Sequence, residues 1–550
     1  MPESYITLIE QSLRNNWDLK ALTDYKGATL QYKDVARKIE KLHILFYHAG
    51  IEKGDKIAIC GRNTSNWCVA LLATMTYGAV AVPILHEFKE DNIHNIVNHS
   101  EARLLFCGNV VWDQLNPEAM PALEGIIYLP DFSLKLSRKE KLTYAREHLN
   151  ELFGEKYPTK FLPENVNFTP DTPDELAIIN YTSGTTGFSK GVMLNYRSIR
   201  SNVEFVGAGL GLKPGDKVVA ILPMGHVFGM TFDCLCGLVS GAHLWFLSRT
   251  PSPQIISSSF SQIRPKVICS VPLILEKIVR KEILPQIDTR LGKLLLRLPI
   301  VSEKMKEKAR KATEEIFGGN FREIIVGGAA LNAEIEKFLR NIGFHVTGAY
   351  GLTECGPIIS LGHWDEEPFG SCGRIADRME AKILSPDPEH IPGELLTRGD
   401  NVMVGYYKNE EATRQTIDAD GWLHTGDMAT IDKNNFLFIK GRCKNMLLSG
   451  SGQNIYPEEI ESKLNNLPLI SESVVLMRDS KLIALTYLDA NETKNMKKQA
   501  IEQQIENNRL AVNRDLETYS QISRIVIWPE EFAKTAKKSI KRYLYNDVKL

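Results

Sequence analysis

Nine cysteines in 550 residues, with no Cys-x-x-Cys pair, give no support to a disulfide scaffold, a zinc ribbon or a thioredoxin-type centre. Charge of one sign is lacking too: 66 Lys and Arg face 67 Asp and Glu, a formal net charge of −1. A chain built to coat nucleic acid or an anionic bilayer carries a basic excess, and this one does not. Met1–Gln11 mixes polar and apolar residues without a basic stretch ahead of an apolar one, so no secretory leader is expected. Internal repeats and low-complexity tracts are absent. Long runs without charge are few. Asn63–Leu85 has no Asp, Glu, Lys or Arg, but it holds Asn63, Thr64, Ser65, Asn66, Gly78 and Pro83. It reads as a buried helix (Ser65–Tyr77), a turn at Gly78 and a buried strand (Ala79–Ile84), rather than a membrane span. Val218–Ser248 has Asp233 as its sole such charge and is broken by Pro223, Gly225, Gly229, Gly237 and Gly241. A strand–loop–helix–strand segment is expected there.

What is present is an ordinary composition, 43% hydrophobic and 24% charged, on a chain long enough for several domains. Short apolar runs alternate with helical patterns. Lys56–Cys60, Leu176–Tyr181, Lys217–Leu222, Lys266–Val271, Arg322–Val326 and Gly343–Thr347 read as strands, and Glu334–Asn341 as a helix. That alternation is the mark of α/β architecture. From Gly421 the texture changes. Gly421–Thr430, a turn at Asp432–Asn435 and Phe436–Lys440 read as a β-hairpin. A helix (Pro457–Leu464), strands at Ser473–Met477 and Leu482–Leu488, a charged helix (Asn495–Asn513) and a strand (Ile522–Trp528) follow. The expectation is a large α/β unit over 1–440, a hinge at 441–445, and a small mobile α+β unit over 446–550.

Three strings carry chemistry. Tyr181-Thr-Ser-Gly-Thr-Thr-Gly-Phe-Ser-Lys190-Gly191 follows a strand and combines small residues, hydroxyls and one Lys. Polyphosphate binding needs that set: backbone approach without Cβ clashes, donors, and positive charge. The spacing Gly184-x-x-Gly187-x-x-Lys190 is not a Walker A loop. Gly348-Ala-Tyr-Gly-Leu-Thr-Glu354 is read as following a strand. Tyr350 offers a flat face for a base, Thr353 a hydroxyl, and Glu354 a hard oxygen for Mg²⁺. Val326-Gly-Gly-Ala-Ala330 ends another strand in small residues, and ligands gather at the carboxyl ends of strands in open α/β sheets. Trp422-Leu-His-Thr-Gly-Asp427 and Lys440-Gly-Arg442-Cys-Lys444 supply a carboxylate suited to ribose hydroxyls and a guanidinium fork. Read singly, Tyr350 is as well a core aromatic, and Asp427 with Arg442 a surface ion pair.

In this order the three strings resemble the adenylate-forming superfamily of acyl-CoA synthetases, luciferases and nonribosomal adenylation domains. The resemblance extends over nearly the whole chain, through Leu30-Gln-Tyr-Lys-Asp, Tyr77-Gly-Ala-Val-Ala-Val-Pro83 and Pro392-Gly-Glu-Leu…Gly405-Tyr-Tyr. Pro223-Met-Gly-His226 and Ser449-Gly-Ser-Gly-Gln-Asn-Ile-Tyr-Pro-Glu-Glu-Ile460 look like the long-chain fatty acyl-CoA synthetases. The resemblance implies two half-reactions. A carboxylate attacks the α-phosphate of Mg·ATP to give acyl-adenylate and pyrophosphate, and coenzyme A then displaces AMP. It implies β/γ-phosphate contacts from Thr182, Ser183, Gly184, Thr185, Thr186, Gly187 and Lys190. It implies an adenine site at Gly328, Ala329, Ala330, Tyr350 and Gly351, with Thr353 on the α-phosphate and Glu354 on magnesium. Asp427 and Arg442 would bind ribose, Lys444 would sit at the hinge, and His226, with Phe228 and Met230, would border the acyl tunnel. Ordinary core is an equal reading for that last segment.

The tail departs from the family. Lys534-Thr-Ala-Lys-Lys-Ser539-Ile-Lys-Arg542 puts Ser539 where relatives carry the lysine that bridges carboxylate and α-phosphate. Lys538 is the substitute expected from the sequence, with Lys537 next. Ser189, where many relatives have Pro, changes loop stiffness. The resemblance implies a cytoplasmic ligase of a medium or long fatty acid using ATP, Mg²⁺ and coenzyme A, as monomer or homodimer, with no nucleic-acid partner. Peripheral membrane contact, aryl or short acids, a carrier-protein acceptor, a catalytically impaired nucleotide-binding homologue and a membrane scaffold stay open.

Overall fold

The computed structural model describes residues 4–182, 189–247, 253–283, 303–448, 453–478, 481–535, 540–546 and 548. Among these, two large sheets organise the first four hundred residues. One runs Gly405–Tyr406, Lys190–Asn195, Leu176–Thr182, Val80–Ile84, Lys56–Cys60, Ala102–Cys107, Gly125–Tyr128 and Leu134–Ser137, parallel from Leu176–Thr182 through Gly125–Tyr128. The other has Lys217–Ala220, Val267–Ser270, Glu323–Val326 and Val346–Gly351 as parallel neighbours, closed at one end by antiparallel Ile358–Leu361 and Arg374–Ile375. The mixed α/β class expected from the sequence is the class observed.

The strands are apolar along their length because both faces are covered. In Lys56–Cys60, Ile57 and Ile59 join the main core between the sheets, while Ala58 and Cys60 join a second core on the outer face. Helix Ser65–Tyr77 lies within the main core, capped by Thr64, whose side chain accepts the Trp67 N–H, and ended by Gly78 at φ +85°. A left-handed residue closing a helix is best met by glycine. The charge-free stretch is therefore buried helix and strand, as expected. Among the described residues no helix is long and apolar enough to cross a membrane.

The second weakly charged run also forms strand, loop, helix and strand. Its helix extends from Val227 to Val239, with Met230–Cys236 wound as a π-helix. Asp233 is fully buried, and desolvation drives its carboxyl well above the carboxylate range.

One strand differs from expectation. The sequence suggests Gly343–Thr347; the strand is Val346–Gly351. Gly343, at φ +70°, and Phe344 instead turn back on the preceding helix, their N–H groups donating to Arg340 O and Leu339 O. The Gly348–Glu354 string thus begins inside the strand instead of following it.

A four-stranded sheet (Met379–Leu384, Gly393–Gly399, Leu423–Ile431, Leu437–Arg442) contains the expected hairpin. Beyond it, Ile470–Arg478, Lys481–Leu488 and Ile522–Ile527 form a small sheet covered by helices Pro457–Leu464 and Lys498–Arg514.

Candidate nucleotide site

The phosphate-type string is anchored at its two ends. Thr182 and Lys190 are cross-strand partners, so the loop between them leaves and re-enters at one point of the sheet. Ser183, Gly184, Thr185, Thr186 and Gly187 lie outside the described residues. Lys190 Nζ stands 4.6 Å over the ring of Tyr406. Tyr406 in turn donates its hydroxyl to Glu354 Oε1 at 2.8 Å. One tyrosine thus joins the phosphate lysine to the metal carboxylate expected from the sequence. The backbone repeats the link, with the Met403 N–H on Glu354 O at 2.8 Å and strand Gly405–Tyr406 paired to Val192 and Met193.

Thr353 is buried in a short 3-10 turn, Thr353–Cys355, that follows the strand carrying Tyr350. Asn202, fully buried on helix Tyr196–Leu210, donates to Cys355 O at 3.1 Å and accepts from the Ile358 N–H at 2.9 Å. It fixes the chain just beyond Glu354.

Tyr350 donates to Asp427 Oδ2 at 2.5 Å, and Asp427 Oδ1 meets Arg442 Nε at 2.9 Å. Asp427 and Arg442 face each other across the hairpin. Asp427 is buried, and desolvation raises its carboxyl although Arg442 pulls the other way. The Tyr350 hydroxyl is held un-ionised by burial first and by Asp427 second. Both oxygens of Asp427 therefore have protein partners, a hydroxyl on one side and a guanidinium on the other. Gly328, at φ +84°, Ala329 and Ala330 form an exposed rim after strand Glu323–Val326. Gly351 ends the Tyr350 strand, and Lys444 is exposed in the turn Cys443–Asn445.

His226 caps the following helix, its Nδ1 accepting the Phe228 N–H at 3.2 Å. The His226 loop is pressed onto the carboxyl end of strand Val80–Ile84, since a Cβ on Gly225 would lie 2.9 Å from Ile84 O. Asn180 Nδ2 holds Gly225 O at 2.9 Å. Phe228 abuts Gly327, where an added Cβ would sit 3.2 Å from its ring. His226 and Phe228 thus lie at the carboxyl ends of strands Val80–Ile84 and Glu323–Val326, beside the Gly328–Ala330 rim. Met230 is fully buried.

Lys538 and Ser539 lie outside the described residues. Lys534 bridges Glu472 at 2.5 Å and also pairs with Glu531, and Arg542 pairs with Glu461. Among the described residues no cluster of three His, Cys, Asp or Glu side chains could hold a metal. A lone, half-exposed Glu354 fits Mg²⁺ that arrives on phosphates, since that ion keeps waters and takes few protein ligands. Sequence reasoning gave no role to Tyr406 or Asn202. Tyr406 was within reach as part of Gly405-Tyr-Tyr; Asn202 looks like any polar helix residue.

Comparison with known proteins gives a concordant result. The AMP-binding enzyme family matches residues 9–407, and the AMP-binding enzyme C-terminal domain matches 444–547. The long-chain-fatty-acid–CoA ligase ACSBG1 of Rattus norvegicus is 26% identical over 493 residues, 83% of this chain and 66% of that protein. The chain thus spans just under two thirds of that relative. The 4-coumarate–CoA ligase 1 of Oryza sativa subsp. japonica is 26% identical over 468 residues, 82% of this chain and 76% of that protein. Among solved structures, the anthranilate CoA ligase AuaEII in complex with anthranoyl-AMP has a TM-score of 0.80 at 20% identity, covering 99% of this chain and 97% of its own. That likeness is one of fold.

Proposed function

The chain belongs to the AMP-binding enzyme family, and from that premise we propose that it is an AMP-forming acid–thiol ligase acting on a medium or long fatty acid. The observation that carries the reading is the meeting of three distant strings, each from a different sheet. Lys190, Tyr406 and Glu354 form one chain of contacts, and Tyr350, Asp427 and Arg442 form a second.

A carboxylate is a poor electrophile, and adenylation gives it a good leaving group. The attack joins anions, so positioning and charge neutralisation carry the rate. Lys190 and the Thr182–Gly187 string hold the outer phosphates. Tyr350 and Gly328–Ala330 take the adenine, Asp427 and Arg442 the ribose, and Thr353 the α-phosphate. Glu354 orients Mg²⁺, which supplies Lewis-acid neutralisation when bound. The acid enters past His226 and Phe228, and coenzyme A then displaces AMP. We place the hinge at Gly441–Asn445, about which the small unit turns between the two steps. Its present seat is held by Asn445 on Glu458 at 2.6 Å and by Asn466 on Arg280 at 3.2 Å and on Asn332.

The relatives are named for 4-coumarate as well as for long-chain fatty acids, and a protein of like fold is named for anthranilate, so the acid is a matter for experiment. The test is ATP–pyrophosphate exchange and acyl-CoA formation over a series of acid chain lengths, with Ser539→Lys in parallel. Exchange with fatty acids and formation of their CoA thioesters is the expected result. A second reading, a nucleotide-binding homologue with impaired catalysis, is favoured by Ser539 and by Lys534 being spent on Glu472 and Glu531. ATP binding without exchange for any acid would select it. A large gain in exchange from Ser539→Lys would show that Lys538 does not fully replace the missing lysine.

A further inference from the structure

Glu367 has no part in the contacts above, yet it lies against them. Gly348 begins the Tyr350 string just beyond Ala349–Leu361, the last cross-strand pair on that side. Its N–H donates to Glu367 Oε2 at 2.8 Å. The fit is tight: a Cβ on Gly348 would lie 2.7 Å from Glu367 Oε1, and one on Gly362 would lie 2.9 Å from its Cδ. The carboxylate thus fills the space that side chains at both positions would need.

Arg340 holds it from behind. Nη2 stands 3.3 Å from Oε2, and Nη1 donates to Glu367 O at 2.7 Å. Arg340 is itself held by Glu336 at 2.8 Å, and Glu336 Oε1 accepts the Gly370 N–H at 3.1 Å. The Glu367 side chain has no exposure, and its Oε1 has no hydrogen-bond partner. Burying a carboxyl with an oxygen unsatisfied is unfavourable, so the geometry needs a compensating role. Strand alternation supplies one. Gly348 and Tyr350 share a face about 6.8 Å apart, which puts Glu367 one step behind the ring that Asp427 holds at its hydroxyl.

We propose that Glu367 is a positioning residue for the nucleotide wall: with Arg340 it clamps the Gly348 N–H and fixes the strand that presents Tyr350, Thr353 and Glu354. The inference rests on the reading that Tyr350 faces the nucleotide.

The groups facing Glu367 are Arg340 and Glu336 from helix Ala333–Asn341 and Cys372 from the following loop, whose thiol is pushed up to about 12 by burial and then by Glu367. Burial also pushes the Glu367 carboxyl up to about 8. Burial raises the value because it opposes the ionised form, so the clamp is held by the protonated acid and loosens as the carboxyl ionises with pH rising through 8.

The experiment measures ATP Kd, ATP KM and acid KM for the full chain between about pH 6.5 and 9.5, in the wild type, Glu367→Gln and Glu367→Leu. Glu367→Leu should raise ATP Kd and KM about 10-fold while acid KM moves less than about 2-fold. Glu367→Gln keeps an acceptor and cannot ionise, so it should stay within about 3-fold at pH 7 and lose the weakening that the wild type shows at high pH. Unchanged ATP affinity in Glu367→Leu, or an unaltered pH profile in Glu367→Gln, overturns the clamp. If Glu367→Leu does not fold, the isosteric Gln profile decides alone. A wild type that binds no ATP overturns the underlying reading and the clamp with it; a wild type that binds ATP beside unaffected variants overturns the clamp only.

Discussion

Around Tyr350, Asp427 holds Tyr350 and Arg442, and Glu354 holds Tyr406; in the small C-terminal unit, Glu461 holds Arg542 and the Val475 N–H at 2.6 Å. Asp427 and Glu461 are buried and Glu354 is half-exposed, and the partners differ in kind. The Asp427 and Glu354 partners are hydroxyls and a half-exposed arginine, which under the proposed function a ribose or a metal-bound phosphate would displace at modest cost. The Glu461 partner is a largely covered guanidinium that ties the tail to helix Pro457–Leu464. Displacing it would leave an uncompensated buried charge, so the pair serves structure. A buried acid by itself does not mark a site; the ease with which its partner can be exchanged does.

The largest effect that would break this contrast belongs to Glu354. Glu354→Gln should lower pyrophosphate exchange at least about 100-fold with an unchanged thermal melt. Full activity would remove Glu354 from the site. Asp427→Ala should raise ATP KM about 10-fold or more and leave acid KM nearly unmoved; an equal rise in both would make Asp427 structural. Arg542→Met should leave the wall intact but destabilise the small unit by about 3 kcal/mol, read from denaturant unfolding followed at Trp528.

A finer effect comes from pH. Burial outweighs Arg542 and pushes the Glu461 carboxyl up to about 7, above its ordinary 4.5. A folded value above the unfolded one gives stability that is full below pH 4.5 and is lost as the pH rises through 7. Glu461→Gln should therefore flatten the fall in unfolding free energy between about pH 5 and 8, measured against the wild type. The smallest change belongs to Lys534. Being spent on Glu472 and Glu531, it should tolerate Met with less than about a 2-fold loss of exchange, and a collapse of exchange would make it the adenylation lysine after all.

Much of the fold was legible because it is local. Lys56–Cys60, Ser65–Tyr77 and Pro457–Leu464 fall where the residue pattern puts them, since periodicity and caps act within one element. Strand Val346–Gly351 starts later than its residue pattern suggests, because Gly343 and Phe344 belong to a helix ending that apolar content alone does not reveal.

The sequence by itself determined the α/β class, the change of texture near residue 440, and the three strings that name the family. Only the tertiary structure decided who holds whom. Tyr350 finds Asp427 across 77 residues, Tyr406 finds Glu354 across 52, and Gly348 finds Glu367 across 19. Such pairings depend on sheet order and on glycines that let groups approach, and both are set by packing of the whole chain. A string announces which atoms a nucleotide needs. The partners that keep those atoms in place, and that must yield when it binds, are visible only once the sheets have closed.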